Sequence, residues 1–203
     1  TLVRLLQRTF EAENCLEVFE ENPFLSRFYD DRERYAFQTQ IFFLLSRYHQ
    51  QRREISTVLE GGNLIIDYTF EKDAVFARIN LKGDELEMYH RVHEALAEKI
   101  PNPDLIVYLR ADTDVLMKRI AQRDRPYERN MEWAYIDELN HAYETFFTER
   151  TQGSPVLAID TNELDFVRYP EDLQRIENRV RQMLKLPPYQ VELPLLTSNE
   201  THP

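Results

Sequence analysis

Short apolar runs alternate with longer amphipathic segments along this chain. Continuous runs rich in Ile, Leu and Val are typical of strands that are buried on both faces. Three runs of this kind lie between turn residues or prolines, and a shorter one comes near the start. The predicted strands cover residues 15–19 (CLEVF), 63–68 (NLIIDY), 105–109 (LIVYL) and 156–159 (VLAI).

The segments between these runs have apolar residues three or four positions apart, which predicts helices. Gly61 and Gly62 end the longest segment, and Pro170 opens the last one, as proline often does at the first position of a helix. The predicted helices cover the stretch from Leu2 to Phe10 and residues 33–60, 84–100, 115–123, 132–150 and 170–184.

This alternation predicts an α/β fold in which helices flank a parallel sheet. Ligands in such folds bind in the crevice at the carboxyl ends of the strands. The polar residues that follow each predicted strand are therefore the first candidates for chemistry.

Composition narrows the class of protein. With 203 residues, 42% of them hydrophobic, the chain is long enough for one domain over residues 1–203, with a proline-rich tail from residue 187. No apolar run reaches the roughly 20 residues that span a bilayer. The net charge of −11 disfavours a nucleic acid polymer as partner. The single cysteine, Cys15, excludes an intrachain disulfide and fits a reducing cytoplasm.

Acidic residues accompany three of the predicted strands. Glu17 lies within the first run, Asp67 is near the end of the second, and Asp160 follows the last. A carboxylate at the carboxyl end of such a strand can hold Mg²⁺ or accept a proton from an attacking hydroxyl. The alternative is that each is a solvated loop acid.

Three arginines, Arg119, Arg123 and Arg125, are the strongest local signal. The first two are four residues apart on one helical face, where like charges repel each other. An arriving anion would relieve that repulsion, and guanidinium groups bind phosphate oxygens in a bidentate manner. The alternative is a solvated basic face that pairs with Asp124 and Glu128.

The long predicted helix places Gln40 and Arg47 on one face, seven residues apart, among several aromatic residues. An amide and a guanidinium beside aromatic rings are suited to binding the edge of a nucleobase. The alternative, that most of the nearby phenylalanines belong to the core, applies to Phe37, Phe42 and Phe43.

Taken in order, these motifs resemble the deoxynucleoside kinase family, in particular a bacterial branch of deoxyadenosine and deoxyguanosine kinases. The resemblance extends from Thr1 to about Leu184 and implies a P-loop NTPase-like, three-layer α/β/α fold. It implies that the first strand and the phosphate-binding loop precede Thr1. The motifs are TLVRLLQ, EVFEENPFLSRFYDD, IIDYTFEKD, RIAQRDRPYE and IDTNELDF.

The resemblance also implies a role for each candidate residue. Residues near 119–131 would form a mobile lid over the phosphates. The implied roles are as follows: Glu17 as the catalytic carboxylate; Arg119, Arg123 and Arg125 on the phosphates; Tyr29 and Glu128 on the sugar 3′-hydroxyl; Gln40, Arg47 and Asp73 on the base; Asp67 on Mg²⁺; and Thr1, Asp165 and Phe166 on ATP, together with Arg119 and Arg123.

One position departs from the family pattern. Tyr68 stands where the family usually has an arginine after the acid, and Lys72 is a candidate for the missing positive charge. Some bacterial members resemble this chain in having Asp-Tyr there, so the departure does not predict loss of activity.

The resemblance implies ATP- and Mg²⁺-dependent phosphorylation of the 5′-hydroxyl of a deoxynucleoside, with a purine favoured, by a cytoplasmic homodimer that salvages nucleotides. Two alternatives stay open. A thymidylate-like monophosphate kinase shares the fold but needs extra arginines for the acceptor's phosphate. A non-catalytic structural relative of the family would not need the acids and lid arginines that this sequence has.

Overall fold

The computed structural model describes residues 1–18, 21–58, 61–149 and 153–187. Helices and strands alternate within these ranges, and a short 3₁₀ helix covers Pro126–Glu128. The elements in chain order are α1 (Leu2–Thr9), β1 (Ala12–Cys15), α2 (Leu25–Asp30), α3 (Arg32–Val58), β2 (Asn63–Ile66), α4 (Lys72–Asn80), α5 (Gly83–Ala97), β3 (Ile106–Arg110), α6 (Thr113–Arg123), α7 (Trp133–Thr148), β4 (Val156–Asp160) and α8 (Pro170–Met183).

All strand pairs in the described residues are parallel, which confirms the predicted α/β class. The strands form two two-stranded sheets: β1 pairs with β2, and β3 pairs with β4. Cys15 lies opposite Ile66, and Arg110 lies opposite Asp160, so both pairs end level at their carboxyl ends. Within these residues no strand pairs with both β2 and β3.

The first predicted strand was placed too late in the chain. The structure has β1 at Ala12–Cys15, and the chain has already left the strand at Glu17. The sequence of β1, AENC, has little β propensity. Pairing with β2 and burial of Ala12 and Cys15 position it instead.

Two helices were not predicted. The short α2 begins after Asn22, whose side chain accepts a hydrogen bond from the N–H of Phe24 at 2.9 Å and donates one to the carbonyl of Thr39 at 3.2 Å. The second, α4, follows a turn in which Thr69 accepts the N–H of Lys72. Short helices depend on such tertiary contacts more than on periodicity.

The largest apolar cluster lies between α2, α3, α4, α5 and α7, with Leu44 and Tyr89 fully buried at its centre. Burying a side chain of this size contributes roughly 1.5–3 kcal/mol. A second cluster packs α8 against β4 through Ile176 and Ile159. The first cluster packs the helices that carry the candidate residues against one another, and the second packs α8 against a strand.

None of the helices in the described part of the chain is long and apolar enough to cross a membrane. The predicted ends at residues 19, 60 and 150, and the predicted tail from residue 188 onward, lie outside the described residues.

Candidate active site

The carboxyl ends of β1 and β2 are joined by two hydrogen bonds between the loops that follow them. The N–H of Asp67 donates to the carbonyl of Cys15 at 3.2 Å. The N–H of Glu17 donates to Oδ1 of Asp67 at 2.7 Å. The two acids predicted from the strand ends therefore lie side by side, because the parallel strands end level.

Two cations hold the carboxylate of Glu17. Arg47 donates to Oε1, and Nζ of Lys72 lies 3.3 Å from Oε2. Burial by itself would raise the pKa of Glu17, but the charges of Lys72 and Arg47 outweigh it and lower this pKa to about 2. Glu17 is therefore ionised at neutral pH.

Arg47 also forms an ion pair with Asp73, and both side chains are buried. The guanidinium lies over the ring of Phe43, with 4.6 Å from its central carbon to the ring centroid. Cation–π contact and burial fix the guanidinium in place. Gln40 is buried on the same helix, so the structure confirms the predicted shared face of Gln40 and Arg47.

Asp67 is the candidate for Mg²⁺. Burial raises the pKa of its carboxyl, and the bond from the N–H of Glu17 opposes that rise. No group of three or more metal-binding side chains occurs in the described residues. Mg²⁺ commonly uses one or two carboxylates and fills its other positions with water and substrate phosphates, so a single exposed acid fits such a site.

Lys72 completes this region, which we call the acid cluster (Glu17, Arg47, Asp67, Lys72 and Asp73), and Tyr68 lies beside it, against Arg47. Burial lowers the pKa of Lys72, and the charge of Glu17 counters it. Tyr68 is buried, and its hydroxyl donates to Oε1 of Gln50 at 3.0 Å. Tyr68 therefore brings no positive charge, whereas Lys72 does.

The three arginines at and just past the end of α6 contact two different partners. Nη1 of Arg119 donates to Oγ1 of Thr161, just past β4, at 2.9 Å. Arg123 instead donates through Nε and Nη2 to Oε2 of Glu128, at 3.0 and 2.6 Å. Arg125 lies 3.5 Å from the other oxygen of the same carboxylate. We call Arg123, Arg125 and Glu128 the lid cluster.

Asp124 and Arg129 form a separate pair in the same segment. Asp124 has a left-handed backbone conformation that ends α6, with φ 47°. Its carboxylate accepts two hydrogen bonds from Arg129, at 2.7 and 2.9 Å. Next in the chain, Nε1 of Trp133 donates to Oδ1 of Asp114 at 2.8 Å, which ties the start of α7 to the first turn of α6.

Tyr29 lies against the lid cluster. Its ring stacks on the ring of Tyr127, with 5.9 Å between centroids and 12° between planes. Burial, aided by nearby Tyr135 and the charge of Glu128, raises the pKa of Tyr29, so its hydroxyl stays protonated. The structure thus brings Tyr29 and Glu128 close together, and the binding of one hydroxyl group by both stays a prediction.

The remaining candidates are Thr1, Asp165 and Phe166. Thr1 precedes α1. Asp165 accepts N–H groups from Val167 and Arg168 in the turn before α8. Phe166 packs against the apolar cluster of β4 and α8. These contacts account for the local shape of the turn, and the binding of ATP there stays a prediction.

Three contacts of the candidate residues were not predicted from the sequence: Lys72 with Glu17, Tyr127 with Tyr29, and Thr161 with Arg119. The one available signal was for Lys72, which precedes the candidate base-binding acid Asp73. For Tyr127 and Thr161 the sequence carried no signal, because both contacts join segments far apart in the chain.

The strand-end acids and the arginine-bearing segment are the parts of an α/β phosphotransferase. A profile of the deoxynucleoside kinase family matches residues 1–185. The chain belongs to the deoxynucleoside kinase family.

Relatives with known activities agree with this membership. The chain is 32% identical over 188 residues to deoxyguanosine kinase of Bacillus subtilis, covering 91% of each chain. It is 28% identical to deoxyadenosine/deoxycytidine kinase of the same organism, covering 91% of this chain and 87% of the relative. It also resembles the structure of deoxyadenosine kinase from M. mycoides with bound dCTP, with a TM-score of 0.77, 24% identity and coverage of 89% and 92%. That structural likeness confirms the fold.

Proposed function

We propose that this protein transfers the γ-phosphoryl group of ATP to the 5′-hydroxyl of a purine deoxynucleoside. Family membership supports the reaction class, and the deoxyguanosine and deoxyadenosine kinases among its relatives support the purine. The observation that carries the proposal is the ionised Glu17, held by two cations beside Asp67 where two parallel strands end.

The 5′-oxygen forms a bond to the γ-phosphorus while the bond from that phosphorus to the bridging β-oxygen breaks, and ADP leaves. Glu17 orients the hydroxyl and accepts its proton as the new bond forms. The charges of Lys72 and Arg47 keep Glu17 ionised, so its carboxylate is available as the proton acceptor. Such reactions depend mainly on positioning and on neutralising charge.

The other residues orient the reactants. Gln40, Arg47 and Asp73 bind the base, and Tyr29 with Glu128 binds the 3′-hydroxyl. Asp67 would hold Mg²⁺, directly or through water, and the ion would supply positive charge to the phosphate oxygens. Arg123 and Arg125 reach the phosphates when their bonds to Glu128 rearrange, and Arg119 does so by leaving Thr161. Thr1, Asp165 and Phe166 contact the ATP.

We further propose a cytoplasmic homodimer organised as a single domain. The exposed apolar side chains of Leu45 on α3 and Met88 on α5 support an interface on these neighbouring helices. The single cysteine fits a reducing compartment. Sedimentation analysis of the wild type and of a Leu45→Lys variant tests the interface, since the variant should shift toward monomer.

A phosphorylation assay tests the reaction. Full-length protein with ATP and Mg²⁺ is given the four deoxynucleosides and, separately, their monophosphates. We expect deoxyguanosine or deoxyadenosine to react fastest. Faster turnover of a monophosphate would make the protein a monophosphate kinase, and no turnover together with no binding of ATP by calorimetry would make it a non-catalytic relative.

A further inference from the structure

The acid cluster contains three carboxylates but only two cations. Glu17 is shared by Arg47 and Lys72, and Asp73 is paired with Arg47. The two cations differ in the free-energy cost of moving each one away from its carboxylate.

Arg47 cannot leave without a large cost. The side chain of Asp73 is 0% exposed and that of Arg47 is 7% exposed. Removing one partner of such a buried pair leaves an uncompensated charge, which costs about 3–5 kcal/mol. Arg47 is therefore a fixed part of the cluster.

Lys72 can leave at a lower cost. Its side chain is 25% exposed, and its ammonium lies 3.3 Å from Glu17, at the edge of hydrogen-bonding distance. Glu17 keeps its bond to Arg47 when Lys72 departs, so its carboxylate still has a cation beside it. The four-carbon stem of a lysine gives the ammonium the freedom to swing while its backbone stays fixed in the first turn of α4.

The position of Lys72 suits a phosphate. In the proposed function the 5′-hydroxyl is bound to Glu17, so the phosphoryl group that it attacks arrives within a few ångströms of this carboxylate. The ammonium of Lys72 already lies 3.3 Å from this carboxylate, so a short movement brings it to the phosphate oxygens.

We propose that Lys72 is a catalytic residue that binds the transferred phosphoryl group. Its ammonium moves from Glu17 to the phosphate oxygens when the phosphate donor binds, while Arg47 keeps Glu17 oriented. This inference rests on the proposed function, and it assigns to α4 the positive charge that neutral Tyr68 does not supply.

Three variants of Lys72 in the full-length protein separate this role from a purely structural one. Lys72→Met removes both the charge and the hydrogen-bond donors, Lys72→Gln keeps donors for Glu17 without the charge, and Lys72→Arg keeps the charge. Lys99→Met, at an exposed lysine just past α5, is the matched control. Thermal unfolding establishes that each variant is folded.

Calorimetry with ATP and Mg²⁺, without nucleoside, measures donor affinity apart from turnover. We expect Lys72→Met and Lys72→Gln to bind ATP about 10-fold more weakly and to lose about 100-fold in kcat. Nucleoside affinity, measured without ATP, should change less than about 3-fold, because the base and sugar contacts remain. Lys72→Arg should keep most of the ATP affinity, and Lys99→Met should match the wild type.

Two results would overturn the assignment. If Lys72→Gln matches the wild type in kcat and ATP affinity, a hydrogen bond to Glu17 is all that Lys72 supplies. If Lys72→Met binds ATP normally, Lys72 does not contact phosphate. Failure of the proposed function is a different result: wild-type protein that binds ATP but phosphorylates no deoxynucleoside. The affinities for ATP still decide the role of Lys72 in that case.

Discussion

The acid cluster and the lid cluster both pair arginines with a buried carboxylate, yet they differ in the exposure of the cation. The side chain of Arg47 is 7% exposed, whereas that of Arg123 is 48% exposed. When the exposed guanidinium of Arg123 turns to water, the buried carboxylate of Glu128 still has Arg125 3.5 Å away. Asp73 pairs with Arg47 alone among the described ion pairs, so the loss of Arg47 would leave a buried charge uncompensated. We infer that the acid cluster is a fixed scaffold and the lid cluster is free to rearrange around a phosphate.

The largest effect is expected in the acid cluster. Glu17→Gln should lower kcat by about 1,000-fold, because the proton acceptor is lost, while nucleoside affinity changes less than about 3-fold. Steady-state kinetics and calorimetry measure the two quantities. Glu13→Gln, on the exposed face of β1, is the control and should retain full activity. Unchanged kcat in Glu17→Gln would remove Glu17 from this role.

The second prediction concerns the scaffold itself. Asp73→Asn should lower the free energy of unfolding by about 3 kcal/mol, because it leaves the charge of Arg47 only partly compensated. Urea unfolding measures this change. The matched variant Asp124→Asn removes the carboxylate that pairs with Arg129 at an exposed site. It should leave the free energy of unfolding unchanged. Equal effects of the two substitutions would contradict the contrast between the clusters.

The third prediction concerns the lid cluster, where we expect a clear loss of turnover and little change in stability. Arg123→Ala should lower kcat by about 30-fold and weaken nucleoside binding far less, because the guanidinium acts on the transferred phosphate. Stability should change by less than about 1 kcal/mol. If nucleoside affinity alone falls, Arg123 serves only to hold Glu128.

The smallest expected effect is a dependence of stability on pH that arises from His93. His93 on α5 stacks on Phe70, 4.8 Å between centroids, and burial lowers its pKa. The unfolded chain then binds a proton more readily than the folded one. Stability should therefore decline as the pH falls below about 6.5, with a slope of at most about 1.4 kcal/mol per pH unit.

Urea unfolding at several pH values between 7.5 and 5.5 measures that slope. A His93→Gln variant lacks the titrating ring and should show a flatter profile, although its overall stability is lower. A slope equal to that of the wild type would assign the pH dependence to other groups. The lid cluster contains no histidine, so its contribution to stability should not change in this range.

The sequence predicted the elements whose pattern is local. The runs at residues 63–68, 105–109 and 156–159 and the long amphipathic helices are in place, because apolar periodicity and bounding prolines or glycines were enough. The strand AENC and the short helices α2 and α4 were missed or misplaced. Their formation depends on partners distant in the chain, which periodicity does not reveal.

The candidate site likewise divides into features that local patterns predicted and contacts between distant segments that they did not. Glu17, Asp67 and the Gln40–Arg47 face followed from strand ends and helical spacing, and the family resemblance added Asp73 and Glu128. The bond from Arg119 to Thr161 and the stack of Tyr127 on Tyr29 did not follow, since each joins elements whose packing only the structure shows. Spacing suggested one arginine group, whereas the structure divides it between two partners.

Trp133, whose indole N–H bonds Asp114, is the single tryptophan of the chain. Its side chain is about half exposed, at the point where the lid segment meets α7. The indole emission of the natural protein thus arises from one position beside the segment that is expected to move. Stopped-flow fluorescence can follow that movement in real time without any introduced dye, and Asp114→Asn will show how far the hydrogen bond governs the signal.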